Sequence, residues 1–135
     1  MTKTLLIAGT IFTIAVLTMS SITSSAEAVP FIESSGIKVI CTTLGPTTEV
    51  QVNCSVIDTN NGIQRVTLTD PMERTSGLAI IDGCINQLSI LHQHTDTLDN
   101  FQGEWELSIT DCTEPNPNTT TIKISLDGRQ FSSSD

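Results

Sequence analysis

Four cysteines, Cys41, Cys54, Cys84 and Cys112, follow an apolar leader, and together they restrict the chain to folds that can be stapled in an oxidising compartment. Lys3 supplies a short positive start, residues 5–17 form an apolar run, and Ala26-Glu27-Ala28 is a small-x-small cleavage site. Residues 1–28 therefore read as a secretory signal peptide. The apolar run falls short of the roughly 20 residues that span a bilayer, and no second hydrophobic segment follows. The polar end, Phe131-Ser132-Ser133-Ser134-Asp135, does not fit a glycolipid-anchor signal. The expectation is a secreted, extracellular protein with no membrane span after signal cleavage.

Cleavage after Ala28 leaves one domain-sized piece, residues 29–135. A core of that size is modest, so two disulfides at about 2–4 kcal/mol each are a large share of a stability of about 5–15 kcal/mol. The net charge is −9, and losing Lys3 and Glu27 with the leader leaves it unchanged. Such a surface disfavours nucleic acid and anionic lipid.

From residue 37 onwards the dominant signal is alternation. Val50, Val52, Cys54 and Val56 share one face, while Gln51, Asn53 and Ser55 share the other. This period of two marks a half-buried strand. Ile37, Val39 and Cys41 form a preceding strand, joined through Gly45-Pro46-Thr47-Thr48. A turn at 58–62, containing Asn60-Asn61-Gly62, leads into a strand over 63–69 that closes at Asp70-Pro71. Residues 78–82 read as a short apolar strand and 85–92 as an imperfect one. Residues 96–103 are a corner. Trp105, Leu107 and Ile109 alternate with Glu104, Glu106 and Ser108, which makes Trp105 core filling and the glutamates a wet face. Pro115 and Pro117 break the next loop, and Ile122, Ile124 and Leu126 mark the last strand. Short strands with turn signals every 8–12 residues predict an all-β antiparallel sandwich. Its expected extent is 37–127, with an N-terminal segment at 29–36 and a polar tail at 128–135.

Gly45-x4-Val50-x-Val52-x-Cys54 resembles the second strand of an immunoglobulin-type domain. Leu88-Ser89-Ile90, the Asp99-to-Gly103 corner and Trp105-Glu106-Leu107 resemble its fifth-to-sixth strand passage. The arrangement is similar to small secreted immunoglobulin-like proteins of invertebrates. The resemblance implies an immunoglobulin-like β-sandwich, with Trp105 in the position of the family's tyrosine. The chain departs from the family in having Leu107 at the sixth-strand cysteine and no Trp over 63–69. A β jelly roll, which the strand 103–111 also resembles, is the alternative fold.

Four cysteines allow three connectivities. A hairpin centred on Thr47-Thr48 sets Cys41 opposite Cys54 on one face, within bridging range, which leaves Cys84 for Cys112. A Cys54–Cys112 bridge would instead indicate an ordinary immunoglobulin sandwich with a shifted bridge. His92, His94 and Asp96 would face the same way on a strand, but this spacing reads as a solvated strand end rather than a metal site. No cofactor is expected. No serine sits in a Gly-x-Ser-x-Gly motif and both histidines fall in one segment, so the reading is not an enzyme. Asn53-Cys54-Ser55 and Asn118-Thr119-Thr120 fit the N-glycosylation sequon, with Asn118 the better acceptor. The expected function is a secreted, non-catalytic binding module. Its loops around Asn60, Asn61, Asn116 and Asn118 would contact an extracellular protein or glycan. The alternative is a structural or matrix protein that self-associates.

Overall fold

The alternating segments become strands in a computed structural model that describes residues 31–134. The expected signal peptide lies outside those residues. Nine strands follow in order: β1 (Ile32–Ser34), β2 (Ile37–Leu44), β3 (Gln51–Ile57), β4 (Arg65–Thr69), β5 (Thr75–Ala79), β6 (Gln87–Leu91), β7 (Gly103–Thr110), β8 (Thr119–Asp127) and β9 (Gln130–Ser133). One sheet runs β1-β2-β3-β6 and the other β9-β8-β7-β4-β5, every pairing antiparallel. Setting β2-β3-β6 against β5-β4-β7-β8 is the partition of an immunoglobulin-type sandwich rather than of a jelly roll.

Burial follows the predicted parity. Val52, Cys54 and Val56 from β3 share one buried core with Leu107, Ile109, Ile122 and Ile124 from the other sheet. Trp105 is fully buried at the centre, and its indole N–H donates to the Phe101 carbonyl at 2.8 Å. Phe101, His92 and Phe131 meet it edge-on, with ring centroids 5.0, 5.2 and 5.7 Å away. Such edge-to-face pairs contribute about 0.5–1.5 kcal/mol each beyond their burial.

Cys41 lies directly opposite Cys54 in the β2–β3 ladder and is bonded to it. Cys84 is bonded to Cys112. The first bridge lies within one sheet, and the second joins the loop before β6 to the loop after β7. No strand-to-strand cystine crosses the sandwich through the described core, and Trp105 and Leu107 fill that space.

Pairing runs beyond the expected 37–127. β1 adds Ile32 and β9 adds Phe131 to the core. One apolar residue in a polar tail gives no periodicity, so the returning strand after Gly128 was not visible by alternation. The strand expected at 78–82 is centred earlier, at Thr75–Ala79. Ile81, within the apolar run 78–82, lies beyond the strand and is 92% exposed.

Candidate functional site

Three loops meet at one end of the sandwich: residues 58–64, 80–86 and 111–118. Ile63 and Ile85 exchange backbone hydrogen bonds at 2.6 and 3.2 Å, and the Asp58 amide donates to the Asn86 carbonyl at 2.8 Å. The Cys112 amide donates to the Asn61 carbonyl at 3.2 Å, and Cys84–Cys112 closes the set covalently.

Each outer loop is shaped by a buried aspartate. Asp58 Oδ1 accepts the amides of Asn60 and Asn61 at 3.1 and 3.0 Å, and Gly62 completes the turn at φ 76°. Gly62 is required twice over: its φ favours glycine, and an added Cβ would overlap Cys84 Sγ. Asp111 Oδ1 accepts the amides of Thr113 and Asn118 at 3.0 and 2.8 Å. Burial raises the Asp111 pKa, but these amide hydrogen bonds hold it below the usual aspartate value.

Asn60, Asn61, Asn116 and Asn118 are all exposed at this end, so the structure brings the expected contact residues together. The third loop, 80–86, was not part of that expectation. It adds Ile81 and lines, with Gln64, Cys112, Thr113, Glu114 and Pro117, a shallow hollow of about 220 Å³. No lysine, arginine or histidine occurs in the three loops, which carry Asp58, Asp82, Asp111 and Glu114. Of the sequon residues, Asn118 is exposed beside β8. Asn53 is half-buried within β3, between Thr42 and Leu91.

The opposite end holds a polar cluster that sequence spacing misread. His92 is buried, not solvated. Its Nε2 lies 3.0 Å from Asp70 Oδ2 and its Nδ1 lies 2.8 Å from Ser76 Oγ. An ionised Asp70 can only accept, so Nε2 carries the proton of a neutral imidazole and Ser76 donates to Nδ1. Ser76 Oγ in turn accepts the Gln93 amide at 2.8 Å. Arg74 links Asp70 Oδ2 at 2.8 Å to Asp96 Oδ2 at 3.0 Å. Burial lowers the His92 pKa more than Asp70 raises it. For Asp70, burial raises the pKa, but hydrogen bonds from His92 and Arg74 more than offset it.

Ser76, His92 and Asp70 have the order of a nucleophilic triad without its access. Their exposures are 2%, 2% and 3%, which leaves no route for a substrate to the hydroxyl. The His94 ring lies 5.3 Å from that of His92, but Asp70 engages His92 and Arg74 engages Asp96 from the β4–β5 turn. Among the described residues, no group of three or more His, Cys, Asp or Glu side chains is placed to hold a metal ion. No described helix is long and apolar enough to cross a membrane.

Comparison with protein-family models, curated proteins and solved structures found no match to this chain.

Proposed function

We propose that the protein is exported and works as a non-catalytic, immunoglobulin-like binding module, with loops 58–64, 80–86 and 111–118 as its contact surface. The observation that carries this reading is the way those loops are fixed. A disulfide, two aspartate-centred turns and the Ile63–Ile85 bridge hold them as one surface before any partner arrives. Binding then requires little additional ordering, which lowers its entropic cost. The side chains presented are Asn60, Asn61, Asn116 and Ile81, and the absence of cations there favours a partner carrying lysine or arginine. Asn118 is the preferred glycosylation site because it is exposed, whereas Asn53 is held inside a ladder.

The test is affinity capture from the native fluid with residues 29–135 as bait, in parallel with an Ile81→Ser, Asn60→Ala, Asn116→Ala triple variant. A partner retained by the first and lost by the second supports the reading. A partner retained equally by both removes this surface from consideration. Mass spectrometry of protein from a glycosylating host checks the sequons, and a bare Asn118 would sink that assignment.

A further inference from the structure

β5 is an edge strand without the usual guards. Thr75-Ser76-Gly77-Leu78-Ala79 contains no charge and no proline, in a molecule whose net charge is −9. Edge strands of monomeric proteins are commonly protected by charges, proline or bulges, because an open edge templates another chain. β1, by contrast, is only three residues long and carries Glu33.

The direction of the free backbone groups follows from the ladder. The Arg74 carbonyl accepts from Asp70 and the Ile80 amide donates to Gln64, so even-numbered residues of this strand bond to β4. Residues alternate, which turns the N–H and C=O groups of Thr75, Gly77 and Ala79 away from the sheet. The strand is therefore symmetric about Gly77. Leu78 reinforces the pattern: it pairs with buried Val66 and so faces the core, yet it is 43% exposed because no described residue covers its flank.

We propose that β5 pairs antiparallel with β5 of a second copy about a two-fold axis at Gly77. Thr75 of each chain stands opposite Ala79 of the other, and Gly77 opposite Gly77. All three are hydrogen-bonded pairs in that register, because their donors and acceptors already point outward. The contact is isologous, as a closed dimer requires. Gly77 brings no side chain to the axis, and the second strand covers the exposed flank of Leu78. Two strongly acidic copies meet along the strand where neither carries a charge. β6 has a similar uncharged edge centred on Ser89, and pairing there is the competing outcome that Ser89→Lys tests. This contact is separate from the loop surface, so either can fail without the other.

Gly77→Lys is the decisive variant. A Cβ there meets Thr67 Cγ2 at 3.5 Å and Val66 O at 3.9 Å, ordinary contacts, so the monomer tolerates it. In the dimer it places two ammonium groups opposite each other, which weakens association by about tenfold or more. Sedimentation velocity of residues 29–135 from micromolar to millimolar concentration should show a monomer–dimer equilibrium in wild type. Gly77→Lys should shift it to monomer, while Ser89→Lys leaves it unchanged. Hydrogen exchange supplies a readout that needs no variant: amides of 75, 77 and 79 become protected as concentration rises, while those of 76 and 78 are protected throughout. A wild type that stays monomeric at millimolar concentration overturns the proposal, as does a dimer broken by Ser89→Lys and not by Gly77→Lys.

Discussion

The two ends of the sandwich solve one problem by different chemistry. Where the apolar layer runs out, something must hold the sheets and their loops together. At the end bearing residues 58–64, 80–86 and 111–118, a covalent bond between Cys84 and Cys112 does so. At the other end the link is a hydrogen-bonded cluster, in which Asp70 and Ser76 from the β4–β5 region reach His92 beyond β6 of the opposite sheet. The disulfide is itself indifferent to protons and vulnerable to reductant. The polar end has the reverse sensitivity. A molecule built this way tolerates loop display at the stapled end while the other end specifies how the sheets meet.

The largest expected effect is at Asp70, whose carboxylate is fully buried and accepts from two amides, Arg74 and His92. Asp70→Ala leaves these donors without their acceptor and should cost about 3–5 kcal/mol in urea unfolding. A loss under about 1 kcal/mol would mean that the cluster does not hold the sheets together. Next comes the staple. Cys84→Ser with Cys112→Ser opens a 28-residue separation and should cost about 3 kcal/mol. Removing Cys41 and Cys54, separated by 13 residues and already aligned by the β2–β3 ladder, should cost about 2 kcal/mol. The reverse order would show that the loop end is rigid without its disulfide. Limited proteolysis localises the change, with new cleavage expected within 80–86 and 111–118 and none within 70–76.

Acid should separate the ends next. His92 is held below the ordinary histidine value of 6.5, mainly by burial, so the unfolded chain takes up a proton that the folded one refuses. Its contribution is fully present above about pH 6.5 and declines as the pH falls below that, by at most about 1.4 kcal/mol per pH unit. Asp70 and Asp111, both held below the ordinary 3.8, contribute above that value and lose their contribution only as the pH falls further. Of the groups with lowered pKa values, only His92, at the polar end, has its ordinary value in the mildly acid range, whereas those of Asp70, Asp96 and Asp111 lie at 3.8. A His92→Gln variant should lower stability at neutral pH and flatten the dependence across that window. An unchanged slope would place the titrating group elsewhere.

Legibility in the sequence divides along the same line. Strands buried on one face announce themselves, and the register of the hairpin from Val39 to Val56 favoured the Cys41–Cys54 pairing that the structure contains. The loop end was half visible, because Asn60-Asn61-Gly62 and the Pro115–Pro117 segment carry turn chemistry. The exposure of Ile81 was not legible, since a short apolar run reads as a strand whether or not anything covers it. The polar cluster was visible only as the His92–Asp96 segment, because Asp70, Arg74 and Ser76 join it from a distant turn and strand start, where there is no periodicity. His92 and Asp70 are 22 residues apart, and only the fold makes them neighbours.

The smallest effect is the most informative about function. At the stapled end, residues that build the surface differ from those it presents. Asp58 builds, through its carboxylate, whereas Asn60 and Asn61 contribute their backbone amides to that turn. Asp58→Ala should therefore cost about 1–2 kcal/mol, in the range of a lost side-chain cap. Asn60→Ala keeps the amide that Asp58 accepts, and Ile81→Ser removes a side chain that is 92% exposed. Each should change stability by less than about 0.5 kcal/mol. If thermal unfolding instead shows Ile81→Ser to be strongly destabilising, that side chain is structural in solution and the presented surface must be drawn without it. If it is neutral, Ile81 has no structural role and stays within the proposed contact surface.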